Sequence, residues 1–134
     1  MIIDATNAEQ INSKEVYFHD DLFRELKFER EAYKLVVQCF SNEKGPYEVI
    51  FRDVVGFEMT SCDFWGPSLR ISCFYPVDVE QQTLIPKLQK ENEKYAAPDD
   101  ALIDNEHHIE VELELISGDC LRVACKTVQF EYNA

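Results

Sequence analysis

The segment Ile109-Glu-Val-Glu-Leu-Glu-Leu115 alternates apolar and acidic residues without a break, and Leu121-Arg-Val-Ala-Cys-Lys126 resumes the alternation after Ser117-Gly118-Asp119. Successive strand residues point to opposite faces, so period-two alternation marks a strand with one buried face, and two such strands around turn residues make a hairpin. A loop over 117 to 119 sets Leu115 opposite Leu121, Leu113 opposite Val123 and Val111 opposite Cys125. The other face then pairs Glu114 with Arg122 and Glu110 with Lys126. A two-residue loop would mix buried and exposed faces, so burial selects the longer one.

The rest of the chain extends this strand-dominated pattern. Leu22, Leu26 and Phe28 fall on one side of a strand whose other side carries Glu25 and Lys27. A turn at Arg30-Glu31 places Leu35 opposite Leu26 and Tyr33 opposite Phe28 in the next strand, 33 to 40. Residues 41 to 46 form a loop, and strand character runs from Tyr47 through Val54-Val55 to Gly56, which reads as a bulge or bend. Residues 62 to 68 read as a turn, and Leu69 to Tyr75 as a strand with Ile71 and Cys73 inward, ended by Pro76. Two helical stretches stand out. Thr6 and Glu9 have capping-box spacing for a short helix over 7 to 12, and residues 83 to 95 form a largely solvent-facing helix with Pro86 in its first turn. The fold expected is mainly β, a β-rich α+β domain in which an antiparallel meander curls into a sandwich or partly closed barrel.

The chain has 134 residues, the length of one domain spanning 1–134 with a single core. Its 26 Asp and Glu against 13 Lys and Arg give a net charge of -13, a field that disfavours nucleic acid and anionic membranes and either attracts a basic protein partner or serves only to keep the chain in solution. The start lacks the basic region and apolar run of a secretion signal, and no stretch has the length of a spanning helix, so a cytosolic protein is expected. Cys39, Cys62, Cys73, Cys120 and Cys125 are odd in number and form no CxxC pair; three lie in apolar runs, and reduced, mostly buried thiols are expected.

Four groups of residues could carry function. His19-Asp20-Asp21 joins an imidazole to two carboxylates, the material of a metal corner or an oriented general base, or of a hydrogen-bonded turn. His107-His108, with Asp104 and Glu106, would add ligands if the fold brought the two groups together, although the spacing matches no metal motif such as HExxH. Glu110, Glu112 and Glu114 share one strand face as an acidic ridge that either meets a basic surface or is simply solvated beside Arg122 and Lys126. They are the centre of a run of eight acids from Asp99 to Asp119 that contains no Lys or Arg. Phe64 and Trp65, in a turn with Gly66-Pro67, offer aromatic anchors of the kind enriched at binding hot spots, or a plug for one end of the fold. Cys62 is the one cysteine placed in that turn rather than a strand. GxSxG, GxGxxG and P-loop motifs are absent, so no cofactor and no catalytic residue is expected.

Phe18-His19-Asp20, followed by the strands 22 to 28 and 33 to 40, resembles the start of small bacterial immunity-type proteins of polymorphic toxin systems, which begin with an aromatic-His-Asp turn leading into a β-meander. The resemblance covers roughly the first half of the chain. It implies a non-enzymatic protein that neutralises a toxin by binding it, here by occluding a basic partner with the acidic strand face. The alternative is a small β-barrel holding an apolar ligand or a divalent metal, with His19 or His107 as a base.

Overall fold

The computed structural model describes residues 2–11, 19–60, 70–95 and 102–132. Two antiparallel sheets face each other. The first has the order β1 (Ile2–Ile3), β9 (Thr127–Tyr132), β4 (Gly45–Arg52), β3 (Lys34–Ser41), β2 (Leu22–Glu29). The second has the order β5 (Gly56–Met59), β8 (Cys120–Cys125), β7 (Ile109–Leu115), β6 (Ile71–Pro76), with helix α1 (Leu84–Lys94) against its outer face. The mainly-β sandwich expected from period-two patterning is therefore what forms. Leu22 bridges Arg70 at the β6 edge, while Phe28 at the far end of β2 meets the ring of Phe57 in β5. β2 thus crosses the second sheet from one edge to the other, closing one corner of the sandwich.

The space between the sheets is filled by side chains from both, including Leu35, Tyr47, Phe51, Phe74, Val111, Leu113, Leu121 and Phe130. Phe74 contacts both Phe51 and Phe130 edge-on, at 6.1 and 6.3 Å between ring centres. That packing corrects the ligand-holding barrel considered above: the inward positions of the two sheets pack against one another and leave the core to side chains.

Two strand pairs keep the expected buried faces in a shifted register. In the β7–β8 hairpin, Leu113 lies opposite Leu121, Val111 opposite Val123 and Glu112 opposite Arg122, two residues from the expected register. The loop is Ile116-Ser117-Gly118, closed by Gly118 N–H donating to Leu115 O and Leu115 N–H donating to Asp119 O, and Gly118 supplies the positive φ of 96° that such a loop requires. A slip of two preserves the buried face, so burial could not reveal it. The β2–β3 register is also displaced by two, with Phe28 opposite Leu35, because a 3-10 turn over Arg30–Ala32 and a left-handed Tyr33 lengthen the connection. A bulge between Phe23 and Glu25 puts Phe23 in the core in place of Leu22. A second irregularity between Ile71 and Cys73 turns Phe74 inward and Cys73 outward, against the expectation for Cys73.

Strand β4 ends at Arg52 rather than running on to Gly56. Asp53 adopts a left-handed conformation, φ 54°, and Val54-Val55 carry the chain across to the second sheet. Gly56 then starts β5, and a Cβ there would lie 2.9 Å from Leu88 Cδ1 of α1, so its missing side chain lets the helix approach. The short N-terminal helix reduces to a 3-10 turn, Ala8–Gln10, because Thr6 bonds to Asp4 Oδ1 instead of forming a capping box. Among the described cysteines, Cys39 and Cys125 are buried, Cys73 and Cys120 half-buried, and all four are free thiols. No helix among the described residues is long and apolar enough to cross a membrane.

Candidate functional sites

The three acids of β7 do not form a solvated ridge. Glu110 has no exposed side-chain surface, because the first turn of α1 lands on it: its carboxylate accepts the N–H of Thr83, Leu84 and Ile85 at 3.1, 3.0 and 2.7 Å. Those amides lack partners within the helix, and an anion at this end also favours the helix dipole. Arg122 Nη1 donates to Glu110 at 3.0 Å, and Arg122 Nη2 to Glu112 at 3.0 Å. Glu112 is also bonded by the Tyr75 hydroxyl, which shares itself with Glu114. Burial alone would raise the Glu112 pKa, but Tyr75 and Arg122 outweigh it and hold the carboxyl below its usual range. The expectation of Glu110 and Glu112 as partner-contacting residues is thereby corrected; they fasten α1 and Arg122 to the sheet. Glu114 remains half-exposed, accepting from Tyr75 and from Cys73 Sγ at 3.0 Å.

Asp104 and Asp119 serve turns. Asp104 Oδ1 accepts the N–H of Glu106 and of His107, and Asp119 accepts from Ser117 and Thr60 hydroxyls. Asp99, Asp100, Cys62, Phe64 and Trp65 lie outside the described residues.

His19, Asp20 and Asp21 line a polar cavity of about 250 Å³ together with Lys44 and Arg70. Asp20 has φ 70°, which turns the chain so that His19 Nδ1 meets Asp20 Oδ2 at 3.1 Å on the surface while Asp21 points to Tyr47. The Tyr47 hydroxyl donates to Asp21 Oδ2 at 2.6 Å; partial burial nevertheless raises the Asp21 pKa, with Tyr47 and Lys44 opposing the shift. Backbone bonds between Asp20, Asp21 and Ile71 tie this corner to β6.

His107 and His108 are at the opposite end of the second sheet. Ile71 pairs with Leu115, whereas His108 precedes Ile109, so the two clusters are separated by the length of β7, about 20 Å at 3.4 Å per residue. The condition for a shared site, that the fold bring the two groups together, is not met, because that strand holds them apart. His107 is exposed and bonds Asp104 at 2.9 Å; His108 is buried, and its desolvation lowers its pKa below the usual imidazole value. No group of three or more His, Cys, Asp or Glu among the described residues is placed to hold a metal ion.

A different surface was missed. Phe28, Tyr33, Val54, Val55, Phe57, Leu88 and Ile103 border an apolar groove of about 410 Å³ between the β2–β3 turn, the β4–β5 crossover and α1. A smaller hollow continues it past Tyr33 to Leu102 and Lys126. Phe28, Tyr33 and Leu102 are 53%, 65% and 53% exposed. Tyr33 has φ 51° and ψ 43°, the left-handed region that bulky residues seldom occupy. Its carbonyl accepts Val54 N–H at 2.9 Å, fixing the residue at the groove's lip. The groove is assembled from segments far apart in sequence, none of which carries a motif.

No family model matches the chain. No curated protein matches it either. Among solved structures, an uncharacterized protein from Neisseria gonorrhoeae is similar over 87% of this chain and 95% of its own, with a TM-score of 0.46 and 14% identity.

Proposed function

We propose that this chain is a non-enzymatic binding protein whose partner is a basic protein, held in the manner of an immunity-type inhibitor occluding a toxin. Tyr33 supports the reading best. An exposed aromatic contributes little to folding, and a left-handed backbone costs a non-glycine residue about 1–2 kcal/mol. Glycine would be the less strained choice there, so a tyrosine is better accounted for by what its ring contacts outside the chain. Exposed apolar surface at a groove is typical of binding sites, and tyrosine is among the residues that dominate interface energetics. The net charge of -13 adds long-range attraction for a cationic partner.

Tyr33→Gly tests this, since it removes the ring while relieving the backbone. The variant should keep its stability to within about 1 kcal/mol, because relief of strain offsets glycine's extra chain entropy. Cross-linking and mass spectrometry should identify a basic protein bound by the parent chain and lost with Y33G. Identical partners for both chains, or a partner set that is acidic, would refute the proposal.

A further inference from the structure

We infer that two copies of this chain join through the open edge of β2, antiparallel about a two-fold axis at Leu26, so that the first sheet continues from one copy into the other. Among the described residues, β2 bonds β3 along one side, and past the Leu22–Arg70 bridge its other side pairs with no strand. Residues 23–29 contain neither proline nor glycine, and an edge of that kind is a template for another strand. The bulge between Phe23 and Glu25 blunts only its first part. The contact is independent of the basic partner proposed above and uses residues other than Tyr33.

Charge sets both the register and the occupant. Leu26 packs against the core, so Glu25 and Lys27 on either side of it belong to the outer face, where both are exposed. Residues directly opposite in an antiparallel pair share a face. A two-fold at Leu26 therefore sets Leu26 against its own copy and pairs Glu25 of each copy with Lys27 of the other, two opposite-charge pairs from one short sequence. A two-fold at Glu25 or at Lys27 would oppose like charges, and one at Phe28 would run the pairing into the 3-10 turn over Arg30–Ala32. A two-fold between residues would set outward side chains opposite inward ones. With its amide turned to suit both neighbours, Gln38 on β3 donates to Glu25 Oε2 at 2.9 Å and accepts from Lys27 Nζ at 3.2 Å. Both charged heads are thus held on the outer face, and each keeps capacity for a further bond. The net charge of -13 on each copy opposes the approach, but charges more than about 10 Å apart are screened at moderate salt, which leaves the decision to the contacts at the edge.

A short edge contact gives a weak dimer, so sedimentation is read at roughly 0.1 mM chain, where the parent should be dimeric. Glu25→Lys and Lys27→Glu each turn both attractive pairs into repulsive ones, and each should raise the dissociation constant at least about tenfold. The double variant E25K/K27E restores opposite charges across the axis and should restore the dimer. The two single variants, mixed, should associate with each other, because one then carries only cations at these positions and the other only anions. Their association also shows that neither variant is misfolded. A parent chain that sediments as a monomer would overturn the inference, as would a dimer indifferent to both reversals or a double variant that stays monomeric. Y33G should dimerise as the parent does, whatever it does to the basic partner; a dimer that it dissolves would place the contact at the groove and overturn the inference.

Discussion

Glu110→Ala separates a solvent-facing glutamate from the buried cap described above. The lost carboxylate leaves three amides at the start of α1 without their acceptor and removes the charged partner of Arg122 Nη1, which keeps only neutral acceptors such as Thr83 Oγ1 at 2.8 Å. Removing one partner of a buried ion pair costs about 3–5 kcal/mol, whereas substituting a solvated surface residue changes stability by about 0.5 kcal/mol or less. The larger figure is a substantial fraction of the roughly 5–15 kcal/mol that holds a typical domain together. At about 3–4 °C per kcal/mol for a chain of this size, the melting temperature should fall by about 10–20 °C. Urea unfolding gives the energy directly, and hydrogen exchange locates it, since α1 should lose protection before the rest of the second sheet. Glu110→Gln should cost nearly as much, because its amide must turn a donor toward donors. A loss below about 1 kcal/mol in E110A, or unchanged protection of α1, would refute the cap and restore the exposed ridge.

His108 has a pKa lowered chiefly by burial, with Lys126 and His107 acting in the same direction and Asp104 against them. The unfolded chain therefore binds a proton near pH 6.5 that the folded chain resists, and stability should fall as pH drops through that value. His108→Gln should flatten this part of the profile of unfolding free energy against pH; an unaltered slope would refute the assignment. The thiols give a second check. Desolvation pushes Cys39 up to about 12 and drives Cys125 up as well, so both should resist alkylation at neutral pH until the chain unfolds, as read by mass spectrometry. Rapid native-state labelling of either would contradict the buried placement.

The β7–β8 hairpin illustrates what the amino-acid pattern settles alone. Alternation assigns every residue to a face, because the pleat has period two, and the inward row Val111, Leu113, Leu121, Val123 and Cys125 is in the core. Register escaped because a slip of two leaves that row intact, and only Gly118's loop geometry and Arg122's choice of Glu112 decide it. Bulges near Arg24 and Ser72 reversed the local parity at Leu22 and Cys73, as one inserted residue must. The sites were less legible still. His19 and His108 are distant because β7 runs between their ends, Glu110 is internal because α1 returns over it, and the apolar groove unites the β2–β3 turn, the β4–β5 crossover and α1. Local pattern determines which face of an element is buried; which other element covers that face depends on contacts between residues remote in the chain, and these only the tertiary structure decided.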